Sequence, residues 1–384
     1  MARRYTLVIH ALNSGGAERV LVSLANHWAE AGVQVTVLTL APLASDHYRL
    51  RAEVQRVGLD LQQTSRSPLQ AVGNNLRRIR RLRRAIRESR PELVLSFTDR
   101  MNVLTLLASR WQPWPVMIAE RNDPRYQLMG RVWEFLRRAS YPRCAAAVVQ
   151  TRPVAAHLRT WIRNRPVFVI SNAAFPPQPS RVISGNKRAA VQGTGGEPPS
   201  LAAMGRLDHQ KGFDLLIQAF ARIASRHTAW RLRIAGQGAE RAALEALARR
   251  FQLDSRVEFC GWQDDPTPFL KEAQLFVLSS RWEGFPNALL EAMSCGLPAV
   301  SFDCPSGPAE IIRHQLDGLL VPPENVEELA AAMDRLMSDP ELRRELGSRA
   351  SEVVTRFRAP AIYSAWDQAV ASVLSTAGGP LASR

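Results

Sequence analysis

The feature that most limits the fold is an alternation that occurs twice along the chain: short apolar, β-rich runs separated by stretches with helical periodicity. In the first half the runs are Thr6 to His10, Val33 to Leu40, Leu93 to Phe97, Val116 to Ala119, Ala146 to Gln150 and Val167 to Ile170. Runs apolar on both faces mark strands of a parallel sheet covered by crossover helices. Phe175-Pro176-Pro177-Gln178-Pro179 and a Gly-, Pro- and Ser-containing stretch to Pro199 then interrupt the pattern, as a linker or long loop does. The second series is Leu201 to Met204, Arg231 to Ala235, Val257 to Cys260, Leu275 to Leu278, Ala299 to Phe302 and Gly318 to Val321. The pattern predicts two doubly wound, Rossmann-like α/β domains, 1–175 and 200–357, joined by 176–199. A terminal segment, 358–384, reads as a helix over Ala359 to Leu374 that ends near Gly378-Gly379 and crosses back to the first domain. With 384 residues, 46% of them hydrophobic, the chain can fill two cores.

Charge separates the two halves. Residues 1 to 180 hold 27 Arg, no Lys and 11 acids, a net +16, whereas the remainder is −1 out of the total +15. The excess points the first half toward a polyanionic partner, either nucleic acid or an anionic membrane surface. Cys144, Cys260, Cys295 and Cys304 are neither paired as in a zinc or thioredoxin site nor dense as in a secreted scaffold, and read as reduced thiols of a reducing compartment. Met1-Ala2-Arg3-Arg4 followed by Tyr5 to Leu12 imitates a signal peptide, but the apolar run stops at Gly15-Gly16, so a buried first strand fits better. Nowhere does an apolar stretch approach the ~20 residues that span a bilayer, so membrane association is expected to be peripheral.

Several clusters follow strand ends. Gly15-Gly16-Ala17-Glu18 stands between the first strand and the amphipathic run Val20 to Trp28, where glycines admit a phosphate or sugar to the backbone or simply make a tight turn. Gly205-Arg206 and Lys211-Gly212 place two cations near one strand end; such a pair suits a departing pyrophosphate or is merely solvated. Gly236-Gln237-Gly238 is another close-approach turn. In Ser279 to Met293 a strand, a Gly/Pro loop and a helix succeed one another: Asn287 is placed to cap the helix, and Glu283 and Glu291 can accept hydrogen bonds from paired hydroxyls. In the alternative reading the glutamates only favour the helix start.

Residues 203 to 357 resemble the donor domain of glycosyltransferase family four, the retaining enzymes of GT-B fold. The resemblance rests on Glu283-Gly284-Phe285-Pro286-Asn287 through Glu291-Ala292-Met293-Ser294-Cys295-Gly296-Leu297-Pro298 and on Cys304-Pro305-Ser306-Gly307-Pro308. Gly15-Gly16-Ala17-Glu18 and Glu120-Arg121-Asn122-Asp123-Pro124 extend it over nearly the whole chain, toward members that build lipid-linked or surface polysaccharides from UDP-sugars. It implies two domains facing a cleft. Arg206 and Lys211 would hold the donor pyrophosphate, Glu291 the ribose hydroxyls and Glu283 the transferred sugar. The amides of Phe285 to Ala288 would support phosphate or sugar, Gly261 and Trp262 would cradle the base, and Gly15 and Gly16 would approach the donor from the other domain. Ser96-Phe97-Thr98-Asp99-Arg100-Met101-Asn102 lacks the histidine many members carry after an N-domain strand, which leaves Asp99 as the acceptor-side candidate, or else as a helix cap.

The implied reaction is retaining transfer of a hexose or N-acetylhexosamine to a lipid-linked or polysaccharide acceptor, with the nucleotide sugar as substrate and no cofactor. No Asp-x-Asp pair follows a strand, so no metal is expected. The rivals are a nucleotide-sugar 2-epimerase of the same architecture, a GDP-mannose-dependent mannosyltransferase and a nucleic-acid binder. The last lacks aromatic residues interleaved with its basic run, so no nucleic-acid partner is expected. Finally, Leu76, Ile79, Leu82 and Ile86 make a stripe flanked by Arg77, Arg78, Arg80, Arg81, Arg83, Arg84 and Arg87; such a helix lies on anionic lipid, packs on the sheet, or does both. The whole describes a cytoplasmic protein docked on the inner face of the membrane.

Overall fold

The computed structural model describes residues 2–63, 67–177 and 198–377. Most of the predicted linker (178–197) and the helix end at Gly378-Gly379 lie outside the described residues. The chain divides into two compact units, residues 1–172 with 360–384 and residues 173–359.

The first unit runs β1 (Arg4–Ile9), α1 (Gly16–Glu30), β2 (Gln34–Thr39), β3 (Gln55–Gly58), α2 (Pro68–Glu88), β4 (Leu93–Phe97) and α3 (Asp99–Ala108). It continues through β5 (Val116–Ala119), α4 (Arg131–Ser140), β6 (Ala146–Val149), α5 (Arg152–Arg159) and β7 (Val167–Val169). These strands form one parallel sheet in the order β3-β2-β1-β4-β5-β6-β7. Successive residues of β1 serve opposite faces: Tyr5, Leu7 and Ile9 pack with Leu21, Leu24 and Trp28 of α1, while Val8 joins Leu82 and Ile86 of α2. Strand β3 has no counterpart among the predicted runs. It is the sheet's edge and is polar, Gln-Arg-Val-Gly, with Arg56 paired to Asp46 at 2.7 Å.

The second unit runs β8 (Ser200–Met204), α6 (Phe213–Ile223), β9 (Arg231–Ala235), α7 (Arg241–Arg250), β10 (Val257–Gly261), α8 (Pro266–Lys271) and β11 (Leu275–Leu278). It continues with α9 (Asn287–Ser294), β12 (Ala299–Phe302), α10 (Pro308–Ile311), β13 (Gly318–Val321), α11 (Val326–Ser338), α12 (Pro340–Ala350) and α13 (Val353–Arg356). Its sheet is also parallel, in the order β10-β9-β8-β11-β12-β13. Leu201 and Ala203 of β8 pack with α6 and α11, and Ala202 packs with Leu289, Leu290 and Met293 of α9.

The last helix, α14 (Ala359–Ala377), joins the core of the first unit. Trp366 is fully buried and stacks on Phe97 at 6.0 Å, and Asp367 accepts from the Trp28 indole at 2.7 Å. In each sheet the strand order reverses once, at β1/β4 and at β8/β11, the place where open parallel sheets bind ligands beyond the carboxyl ends of their strands. Replacing Trp366 with Ala should lower the unfolding free energy of the first unit by about 3–5 kcal/mol, the usual loss for a buried aromatic. Urea denaturation checks this; a loss below about 1 kcal/mol would mean that α14 is not part of the core.

Candidate functional site

The β8/β11 reversal of the second sheet brings together two loops that the sequence singled out separately. After β8 come Gly205, Arg206, Lys211 and Gly212; after β11 come Ser279 to Pro286. The backbones interlock, because Gly212 has φ +61° and a Cβ there would lie 2.1 Å from the Ser279 carbonyl oxygen. Ser279 Oγ donates to the Lys211 carbonyl at 3.0 Å, and the Arg281 amide donates to the Gln210 carbonyl at 2.8 Å.

Lys211 and Glu283, assigned separate tasks from the sequence, form an ion pair here. Lys211 Nζ donates to Glu283 Oε1 at 2.6 Å, and the same oxygen accepts from Ser280 Oγ at 2.7 Å. Glu283 is buried and the Lys211 side chain is 17% exposed. Arg206 is the exposed cation of the pair, held by Gln210 at 3.0 Å and Asp208 at 3.3 Å. Glu291 is half-buried on α9. Gly284, Phe285 and Pro286 are buried, and Asn287 and Ala288 half-buried, where the loop enters that helix. Asn287 is not the cap. Proline, with φ fixed near the observed −74°, takes the cap position at 286, and Asn287 begins the helix. The Cys304 to Pro308 segment braces the loop: Ser306 Oγ donates to the Gly284 carbonyl at 3.4 Å, and a Cβ on Gly307 would meet Pro286 at 2.6 Å.

The remaining glycines have structural reasons. A Cβ on Gly236 would lie 1.8 Å from the Gly205 carbonyl oxygen, and one on Gly238 2.2 Å from that of Leu207, so the close approach at this turn is to the protein's own backbone. Gly261, at φ +71°, ends β10 with open space beside it, and Trp262 next to it is exposed.

In the first unit, Gly15 and Gly16 open α1; a Cβ on Gly15 would collide with the carboxylate of Glu18. Asp99 does not cap α3. It is the first helical residue and accepts from the Arg100 amide at 2.6 Å, and the cap position belongs to Thr98, whose φ of +71° is strained for a β-branched residue. Beside it lies a buried polar group that pattern reading could not find. Tyr141 donates to Glu120 Oε2 at 2.6 Å and receives the Asn102 amide at 3.3 Å. Burial first, then the negative charge of Asp99, pushes the Glu120 carboxyl up to about 7. Burial likewise lowers Arg121, to about 10; its guanidinium lies over the Phe97 ring.

Helix α2 only partly keeps its sequence reading. Leu82 and Ile86 are buried, but Leu69, Val72 and Leu76 are exposed at its N-terminal end. Arg78 donates to the carbonyls of Leu61 and Gln63, and Arg83 to those of Leu107 and Ala108 at the end of α3, so these two are used inside the fold. Arg77, Arg80, Arg81, Arg84 and Arg87 face outward, with Arg84 on Glu88. Val132 and Phe135 of α4, and Leu128 before it, are exposed as well.

The family profile described as Glycosyl transferases group 1 matches residues 186–353, and that described as Glycosyltransferase Family 4 matches residues 14–174. A lipopolysaccharide core biosynthesis glycosyltransferase of Rhizobium meliloti, LpsD, is 30% identical over 93% of this chain and 95% of its own length. An α-1,4-N-acetyl-D-galactosaminyltransferase of Campylobacter jejuni, named for an undecaprenol-linked acceptor, is 27% identical over 96% of this chain and 99% of its own. An exopolysaccharide phosphotransferase of Streptomyces coelicolor is 44% identical over 176 residues, only 19% of its length. Among solved structures, Anabaena HepE in complex with UDP-glucose superposes with a TM-score of 0.76 at 18% identity, over 96% of this chain and 99% of that one.

The buried Glu120 makes stability depend on pH. A carboxyl whose folded pKa is raised holds its proton after the unfolded chain has released it, so stability should fall as pH rises from about 4.5 to about 7 and level off above. The Glu120 contribution is on the order of 3 kcal/mol. In Glu120→Gln this part of the decline should vanish from urea melts taken across that range; an unchanged pH slope would refute the assignment.

Proposed function

This chain belongs to glycosyltransferase family 4, and from that premise we propose that it moves a hexose or N-acetylhexosamine from a UDP-sugar to a hydroxyl of a lipid-linked or polysaccharide acceptor, retaining the anomeric configuration and using no metal. The observation that carries the reading is the convergence of Arg206, Lys211 and Glu283 on the β8/β11 reversal, with Glu291 on the helix that follows. The acceptor class follows the Rhizobium and Campylobacter relatives, which match over nearly their whole lengths. HepE, a protein of the same fold, holds UDP-glucose, which makes uracil the first base to try.

In this reading the bond between the anomeric carbon and the diphosphate breaks as the acceptor oxygen bonds to the same face, and the acceptor proton passes to the departing phosphate. The enzyme's task is to compensate the charge that grows on that phosphate. Arg206, Lys211 and the amides at the start of α9 are fixed dipoles and charges aimed at it. The ion pair with Glu283 keeps the Lys211 ammonium in place before the donor arrives, so little reorganisation is left for the reaction itself. Glu283 accepts hydrogen bonds from sugar hydroxyls and Glu291 from the ribose.

The first half supplies the surface that meets the acceptor's membrane. Arg77, Arg80, Arg81 and Arg84 face outward on α2, and exposed Leu69, Val72, Val132 and Phe135 add apolar groups able to enter the headgroup boundary. No helix among the described residues is long and apolar enough to cross a bilayer.

A nucleotide-release screen over UDP- and GDP-sugars, with lipid extract as acceptor, should show acceptor-dependent release of UDP that survives EDTA. Conversion of the sugar without acceptor would instead make the protein an epimerase, and restoration by Mn²⁺ after EDTA would overturn metal independence. In calorimetric titrations Glu291→Ala should weaken free UDP by ~10-fold, the loss of roughly one charge-assisted hydrogen bond, while Glu283→Gln, whose amide oxygen can still accept from Lys211, leaves UDP affinity nearly intact. The reverse pattern would exchange the two roles. Changing Arg77, Arg80, Arg81 and Arg84 to Gln should abolish sedimentation with anionic vesicles, and ~0.5 M salt should mimic that loss because the screening length shrinks to a few ångströms. If sedimentation persists, α2 is not the anchor.

A further inference from the structure

We infer that Gln210 is a positioning residue that sets Arg206 and the Glu283 loop in register with one another, an inference that rests on reading those two residues as donor contacts. Its side chain divides its work. Oε1 accepts from Arg206 Nη2 at 3.0 Å, and Nε2 donates to the main-chain carbonyl of Trp282, directly before Glu283, at 3.0 Å. Its own carbonyl accepts from the Arg281 amide at 2.8 Å, and Lys211 is the next residue. One residue of the β8–α6 loop thus touches, directly or through one peptide, three of the side chains assigned to the donor.

Chemistry fixes the residue type. Arg206 can only donate and a carbonyl can only accept, so the position needs an acceptor at one atom and a donor at its neighbour. A carboxamide provides both, which also settles which end of the amide is oxygen. Glutamate offers two acceptors, lysine only donors, and methionine neither. Gln210 is 8% exposed, whereas the Arg206 side chain is 70% exposed and its ion pair with Asp208 is longer, at 3.3 Å, so the buried amide narrows the rotamers open to the cation.

Beneath it Arg281 locks the same two loops. Its side chain, 10% exposed, forks onto Asp214 at 2.7 and 2.9 Å, reaches the His209 carbonyl at 2.8 Å and pairs with Glu324 at 3.0 Å. Burial opposes the Arg281 charge, but its bonds to Asp214 outweigh that and raise its pKa. With the backbone held this firmly by Arg281, Ser279 and Gly212, the Gln210 side chain is free to act on the aim of Arg206 rather than on the fold.

The test is a double-mutant cycle read by donor turnover and UDP titration. Gln210→Met removes both bonds at nearly constant volume. It should lower kcat/KM by ~10-fold or more, as misplacement of a charge contact by a fraction of an ångström does. Arg206→Ala should then cost much less in the Gln210→Met background than in the native chain, because the arginine is no longer aimed. Additive costs, or Gln210→Met within twofold of native kcat/KM, would overturn the inference while leaving the donor reading intact. If Arg206→Ala alone alters neither UDP affinity nor turnover, the donor reading of Arg206 fails and the inference falls with it. Should Gln210→Met not fold, Gln210→Glu serves: its carboxylate should hold Arg206 away from the diphosphate and weaken UDP by ~10-fold, and native affinity in that variant would overturn the inference.

Discussion

A sheet whose strands all run the same way must return its chain by a crossover after every strand, and so it collects all its carboxyl ends on one edge. Both units of this protein are built under that constraint. Its consequence is that loops far apart in sequence, 205–212 and 279–286, become neighbours where the strand order reverses at β8/β11. The glycines follow from the same constraint: neighbouring strand-end loops pack this closely only where one presents no Cβ to the other's carbonyl, Gly212 to Ser279 at β8/β11 and Gly236, after β9, to Gly205.

Charge placement in the second unit is economical. Lys211, mostly buried, is balanced by Glu283 at 2.6 Å, and Arg281 is balanced by Asp214 and Glu324. Arg206 is the exposed one, paired with Asp208 at 3.3 Å and steered by the neutral Gln210 amide at 3.0 Å. An anion entering there meets one guanidinium ordered by Gln210 and Asp208 and one ammonium already paired with Glu283. Such an arrangement favours charge that develops during a reaction over charge that is present from the start.

The parts legible in the sequence were those that depend on local pattern. Buried strands such as Leu93–Phe97, Val116–Ala119 and Leu275–Leu278 were readable to the residue, because both faces are covered and the run is apolar at every position but Ser96. Strand β3 was not, since an edge strand needs only one apolar face and its four residues look like loop. The loop 283–287 was legible as a motif, but its partners were not: Gln210 and Arg281 carry no periodicity, and their contacts span about seventy residues. Asn287 misled because Asn ordinarily caps, and a proline one residue earlier had already taken the position. Glu120 was visible only as part of a resemblance; that it is buried against Tyr141 is a product of the fold.

The cationic surface of the first unit is made wholly of guanidinium groups, since residues 1 to 180 contain no lysine and the chain's three are Lys187, Lys211 and Lys271. Acylation neutralises ammonium groups, and arginine does not lose its proton in any physiological range. The charge on Arg77, Arg80, Arg81 and Arg84 is therefore beyond the reach of lysine acetylation and of pH alike. Amine-directed labels applied to the protein will leave that face unmarked, and its charge stays constant where a lysine-built surface would change with acetylation.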